Sequence, residues 1–329
     1  MTKIENIELE YDVVKASLSM QAGLHSCKSY DIERLHQNEN NSWSTNGVCK
    51  PDFSMFPTLG ALLPAEKVFS AECFDGEYYH FDGQIYLPKA PVYTYIDKAY
   101  TMGNHGFYRT SDMDILVDVD ATIPELLDYN KESCTMRLVS DERTLKQYPF
   151  EFEYLTRYDL IEEGLKKTHT IKNTGQDTMY FCNGDHTAFK IYGPIENYEL
   201  YLEQDEPYYV EHPIIGRVES VNKYLSLDGD MIIDAQSLQL ENFQSNICYL
   251  IRKGRIAVRY EGIKVKNLWI WTAERNGFIC IEPIIGTVHA LNNLKKSVEN
   301  NDIISLEPGK EYVRTLKMTF PYIKINESA

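Results

Sequence analysis

The sequence predicts an all-β protein, a large antiparallel β-sandwich with few short helices. Three observations carry this expectation. Short extended runs are broken at close intervals by turn residues. Long amphipathic helices and strand–helix–strand alternation are missing. Tyrosine is abundant, at 24 residues against 3 tryptophans, and it suits the pleated, half-buried surface of a strand. With 329 residues, 43% of them hydrophobic and 25% charged, the chain is long enough to bury a large interior. All-β folds of this length often form one continuous core, so residues 1–329 are expected to make one domain.

The elements follow in order. The stretch from His36 to Lys50 is polar but too short for a linker. Turn pairs stand at Asp75-Gly76, Asp82-Gly83, Asp228-Gly229 and Asn276-Gly277. The only candidates for short turns or helices are Ile123 to Tyr129 and Asp141 to Gln147, limited by Pro124 and Pro149. Leu165 to Lys172 is extended, Asn173 to Asp177 supplies turn residues, and Thr178 to Cys182 reads as a returning strand, so a hairpin is expected there. After Pro308-Gly309-Lys310, the run Glu311 to Phe320 alternates polar and apolar residues, as in a strand with one buried face. There is no internal repeat.

Composition narrows the function classes. A net charge of −16 works against binding nucleic acid or an anionic membrane surface. The seven cysteines are odd in number and widely spaced. They form neither a zinc pattern nor a disulfide framework, so reduced, mostly buried thiols in the cytoplasm are expected. The polar start Met1-Thr2-Lys3-Ile4-Glu5-Asn6 carries no signal-peptide core, and no apolar run is long enough to span a bilayer.

Four segments place chemistry-bearing groups beside turns, where loops present them. They are Gly103-Asn104-His105-Gly106-Phe107-Tyr108-Arg109, Asn183-Gly184-Asp185-His186-Thr187-Ala188-Phe189, Ile281-Glu282-Pro283-Ile284-Ile285-Gly286 and the apolar turn Phe56-Pro57-Thr58-Leu59-Gly60. Taken singly, a histidine next to a glycine turn is more often a structural hydrogen-bonder. Glu282 follows the apolar run Phe278 to Ile281 and precedes a proline, which is expected to end regular pairing. Burial there would raise its pKa and suit it to act as a base near neutrality.

Together these segments resemble the aldose 1-epimerase (galactose mutarotase-like) family, in its bacterial LacX-type branch. Gly103 to Arg109 resembles the family's HGFAR-type motif. Ser140 to Phe150 resembles the segment that follows it. Gly184 to Phe189 resembles GGHPAF, Cys280-Ile281-Glu282-Pro283 resembles CIEPW, Phe56 to Gly60 resembles FPxxG, and Leu306-Glu307-Pro308-Gly309 resembles LEPGE. The motifs occur in the family's order over nearly the whole chain. The resemblance implies a galactose mutarotase-like supersandwich that interconverts the α and β anomers of a free hexose or related sugar. Glu282 would take the proton from the C1 hydroxyl, His186 would protonate the ring oxygen from the opposite side of the hemiacetal, and His105 would hold a sugar hydroxyl; the resemblance implies no metal and no organic cofactor. Arg109, Asp234, Gln236 and Trp271 complete the expected sugar-binding set.

Three positions depart from the family pattern. Ala61 and Leu62 stand where an arginine usually follows FPxxG. Gln236 stands where an aspartate is usual, with Asp234 two residues earlier and therefore on the same face if this stretch is a strand. Ile284 replaces the tryptophan of CIEPW, leaving Trp269, Trp271 or a tyrosine to supply an aromatic surface. These departures keep open a non-catalytic carbohydrate-binding or sensing protein on the same scaffold. A sugar-phosphate epimerase is the other alternative, with only Arg109, Arg143 and Lys146 as scattered phosphate ligands. The expected partner is a small carbohydrate and the expected state a monomer or homodimer.

Overall fold

The computed structural model describes residues 53–59, 62–107, 124–162, 164–234 and 237–321, together with short strands between residues 6 and 48 and at 323–324. About 57% of it is strand and 12% helix, which confirms the all-β expectation.

The strands form two antiparallel layers. In the first, Ser133–Val139, Phe152–Ile161, Gly164–Asn173, Glu311–Thr319, Arg255–Glu261 and Ile247–Arg252 pair in that order. In the second, Leu238–Glu241, Asn267–Trp271, Asn276–Ile285, Asn183–Pro194 and Phe53–Met55 pair in that order. One 15-residue strand, Tyr198–His212, joins them: Tyr198 to Leu202 pairs with the first layer and Tyr208 to Val210 with the second.

Alternation explains where the core sits. Successive side chains on a strand point to opposite faces, so Leu165, Leu316 and Met318 from one layer meet Phe189, Ile191, Leu268, Ile270, Ile279 and Ile281 from the other in a shared buried cluster. The even-numbered residues of Asn276–Ile285 and Asn183–Pro194 therefore face away from that core. A second apolar cluster surrounds Phe56, whose ring lies 4.9 Å from Phe152, 5.0 Å from Tyr154 and 5.5 Å from Phe181. Aromatic pairs of this kind contribute about 0.5–1.5 kcal/mol each beyond area burial, and here they anchor the turn that follows Phe56.

Several expectations hold. Glu311–Thr319 is a strand with Arg314, Leu316 and Met318 inward. Glu142–Gln147 is a helix, because Asp141 accepts from the Thr144 amide at 2.9 Å and the Thr144 hydroxyl accepts from the Asp141 amide at 2.8 Å, a reciprocal cap. Asp82-Gly83 turns a two-residue hairpin, both residues having positive φ. Among the described thiols, Cys134, Cys182, Cys248 and Cys280 are buried and Cys73 is half-buried, none of them in a disulfide.

Three expectations are corrected. Residues 165–182 do not form a hairpin: Met179–Phe181 pairs with Ile304–Leu306. The Asn173 side chain donates to the carbonyls of Asp177 and Leu306, and its backbone bonds Gly309 and Lys310, so the chain leaves the layer instead of returning. Glu125–Tyr129 is a strand, not a helix, because Asn130 accepts from the amides of Glu132 and Ser133 and folds the chain back onto Ser133–Val139. Pro283 does not end pairing: it stands opposite Leu268 inside Asn276–Ile285, where a proline removes one ladder donor while its carbonyl still accepts, here from Arg314 at 3.2 Å.

Candidate functional site

The second layer brings the two key residues together. Gly184 stands opposite Ile284 and Thr187 opposite Ile281, and the same register sets His186 opposite Glu282. Directly opposite residues share a face, so both side chains emerge on the side away from the core. His186 Nε2 lies 3.3 Å from Glu282 Oε1, with the histidine side chain 14% exposed and the carboxylate 4%. They stand side by side on adjacent strands, because the register makes them neighbours in one sheet, whereas the resemblance implied an acid and a base on opposite sides of the hemiacetal.

Aromatic and polar groups continue this face. Trp269 is opposite Glu282 and Trp271 opposite Cys280. The Trp271 ring lies edge-on to the His186 ring, with centroids 5.4 Å apart. Further along, Gln239 is opposite Trp269, and the Tyr209 hydroxyl reaches Gln239 Oε1 and Glu241 Oε1, each at 2.8 Å.

His105 arrives from a separate turn. The Phe56 amide donates to the His105 carbonyl at 3.2 Å, and the Phe107 amide donates to the Phe56 carbonyl at 2.8 Å. Gly106 is required between them: its φ is +80°, and an added Cβ would stand 1.9 Å from the Phe56 oxygen. His105 itself has φ +64° and presents its ring 5.6 Å from that of His186. Its Nδ1 bonds the Leu59 carbonyl. A carbonyl only accepts, so in the neutral ring Nδ1 carries the proton and Nε2 is the acceptor. The expected apolar turn that begins at Phe56 thus steers a histidine.

Beneath this face, on the core side, lies a buried charge cluster. Asp185 is 2.5 Å from Lys167 Nζ, 3.1 Å from His169 Nε2 and 3.6 Å from Arg314 Nη1, and the side chains of Asp185, Lys167 and His169 are fully buried. Asn183 donates to the Tyr154 hydroxyl at 3.1 Å, and that hydroxyl meets His169 Nδ1 at 2.9 Å. Burial pushes the Asp185 carboxyl up, but His169, Lys167 and Arg314 outweigh it and hold it far below the usual carboxylate range. Burial pushes His169 below its ordinary value, against the smaller opposite pull of Asp185. A neutral His169 that accepts from Tyr154 and donates to Asp185 satisfies every bond in the chain. Arg314 also reaches the Pro283 carbonyl, so one guanidinium holds the residue after Glu282 and the residue before His186.

The structure therefore gathers His186, Glu282, His105 and Trp271. Asp234 closes the short helix Gly229–Asp234, so the same-face argument made for a strand does not apply to it, and its side chain lies outside the described residues. Arg109, Gln236 and Ala61 also lie outside them. Ile284 and Leu62 are buried in the Phe56 cluster. Arg143 binds Asp141 at 2.7 Å as part of the helix cap. Sequence reasoning missed Cys280 as a neighbour of the pair, although its position two residues before Glu282 carried that signal. It also missed the roles of Lys167, His169, Asp185 and Arg314. Among the described residues, no helix is long and apolar enough to cross a membrane.

Comparison with known proteins agrees with this architecture. The aldose 1-epimerase family profile matches residues 92–319. The fold is similar to that of a galactose mutarotase related enzyme from Lactobacillus acidophilus, at 20% identity and TM-score 0.69, covering 98% of this chain and 99% of the other. A galactose mutarotase-like protein from Lactobacillus casei aligns at 19% identity and TM-score 0.64, covering 95% and 99%. A galactose mutarotase-like protein from Clostridium acetobutylicum aligns at 15% and 0.57, covering 97% and 95%. No curated protein matches the sequence significantly. The profile reaches the family without singling out its LacX-type branch. On this profile match, which takes in His105, His186 and Glu282, the chain belongs to the aldose 1-epimerase family.

Proposed function

We propose that this protein interconverts the α and β anomers of a free aldose by acid–base ring opening and closure. The observation that carries the reading is the His186–Glu282 contact at 3.3 Å on a sheet face flanked by Trp271 and His105. The two oxygens that exchange protons, the C1 hydroxyl and the ring oxygen, are bonded to the same carbon. An acid and a base standing side by side suit them, with the sugar lying over the pair. Glu282 as carboxylate takes the C1 hydroxyl proton while His186 as imidazolium gives its proton to the ring oxygen. The C1–ring oxygen bond breaks, and C1 becomes an aldehyde. Rotation about C1–C2 presents the other carbonyl face. Closure reverses both transfers and restores the protonation of each residue. His105 Nε2 accepts from a sugar hydroxyl, and Trp271 packs against the apolar face of the ring.

General acid–base catalysis of this kind contributes about 10²–10⁴ in rate. Optical rotation of freshly dissolved α-glucose and α-galactose tests the proposal. The wild type is expected to accelerate the change, and Glu282→Gln to lose about 10²–10⁴ of that acceleration while keeping its melting temperature. Sugar binding with exchange only at the buffer rate would establish instead a binding or sensing role on the same scaffold.

A further inference from the structure

We propose that the face carrying the acid–base pair is also a binding site for a thiophilic divalent cation, best matched by Zn²⁺. Its ligands are His186, Cys280 and Glu282. Strand alternation turns Cys280 and Glu282 to one side, and the neighbouring strand adds His186. One ligand atom from each of the three lies within 4.8 Å of the others. A tetrahedral zinc site with bonds of about 2.0–2.3 Å has ligand–ligand edges of roughly 3.3–3.6 Å. The His186–Glu282 edge, at 3.3 Å, already has that length, and the thiol needs only a shift of about an ångström to complete the triangle.

The donor chemistry selects the ion. A thiol, an imidazole and one carboxylate suit zinc, whereas magnesium and calcium prefer sets of oxygen ligands. Three protein ligands leave the fourth tetrahedral position for water or a sugar hydroxyl. The partly exposed His186 edge gives the ion an entrance. On binding, the Cys280 thiol releases its proton to solvent and the thiolate bonds the metal. The imidazole lone pair and the carboxylate are then engaged, so neither can carry a proton for the sugar. Metal binding stands on the geometry alone; the resulting block of anomer exchange rests on the proposed epimerase function.

Titration of the chelator-treated protein with Co²⁺ and then Zn²⁺ tests the site directly. The wild type is expected to show a thiolate-to-cobalt charge-transfer band that saturates at one equivalent and is displaced by Zn²⁺, with no competition from Mg²⁺. Cys280→Ser is expected to lose the band and to bind Zn²⁺ weaker by more than the ~10–100-fold that loss of an outer-shell partner costs. Cys73→Ser, which removes the half-buried thiol, should leave the band intact. In the optical-rotation assay, Zn²⁺ should stop exchange by the wild type, and Cys280→Ser should resist it by the same factor. Absence of the band in the wild type, or a band and a Zn²⁺ affinity unchanged in Cys280→Ser, would overturn the proposal. A wild type that shows the band but no exchange would refute the epimerase reading and leave the metal site standing.

Discussion

Replacing Asp185 with asparagine tests whether the charge cluster under the sheet holds the site in place. Asp185, Lys167 and His169 have no exposed side-chain surface, and Arg314 has 5%. Water therefore cannot compensate Lys167 and Arg314 once the carboxylate is neutralised. Breaking a buried ion pair from one side costs about 3–5 kcal/mol. With an unfolding entropy of about 2.1 cal/mol/K per residue, 329 residues convert that into a fall in melting temperature of roughly 4–7 °C. Scanning calorimetry at neutral pH measures it. Adding Lys167→Met should recover part of the loss, since it removes one of the stranded charges. An unchanged or raised melting temperature in Asp185→Asn, or no recovery in the double variant, would refute the reasoning.

Other outcomes follow from the same geometry. Gly106→Ala combines a positive φ with an overlap on the Phe56 oxygen; at about 1–2 kcal/mol for the backbone and 1–3 for the overlap, melting should fall by several degrees and anomer exchange with it. Trp271→Ala removes a ring 5.4 Å from His186 and should raise KM a few-fold to about tenfold, the equivalent of about 0.5–1.5 kcal/mol, with less effect on kcat. His169 is held below its ordinary value by burial, so as pH falls through about 6.5 the unfolded chain takes up that proton first. Stability should therefore drop on acidification from about pH 6.5 down to the lowered folded value, and calorimetry at neutral pH and near pH 5.5 should show a smaller drop for His169→Gln. His289 is shifted in the same sense by burial and accounts for part of the slope that remains.

Much of the fold was legible in local pattern. The Glu311–Thr319 alternation and the short helix at Asp141 to Gln147 are decided by contacts within one or two turns of chain, which a sequence displays. The hairpin expected at residues 165–182 failed because the partners of Asn173 lie at Leu306 to Lys310, beyond the reach of local reasoning. Lys167 and His169 were illegible for a related reason. Polar residues in an alternating strand read as outward-facing, yet these share the inward face of Leu165 and Ile171, because Asp185 waits on the other layer. His186 and Glu282 stood out by motif, but their register did not, so the side-by-side arrangement and the nearness of Cys280 to His186 emerged only with the paired strands.

On the proposed epimerase function, the grip of Arg314 on both strands has a consequence for how new sugar preferences would arise. The reacting pair rests on a floor clamped from below, its two planks tied to each other and to one guanidinium. Spacing between acid and base is then insulated from changes in the rim. Segments around the floor can be exchanged to admit a different ring without retuning the proton transfers, whereas tampering with the clamp disturbs every substrate alike.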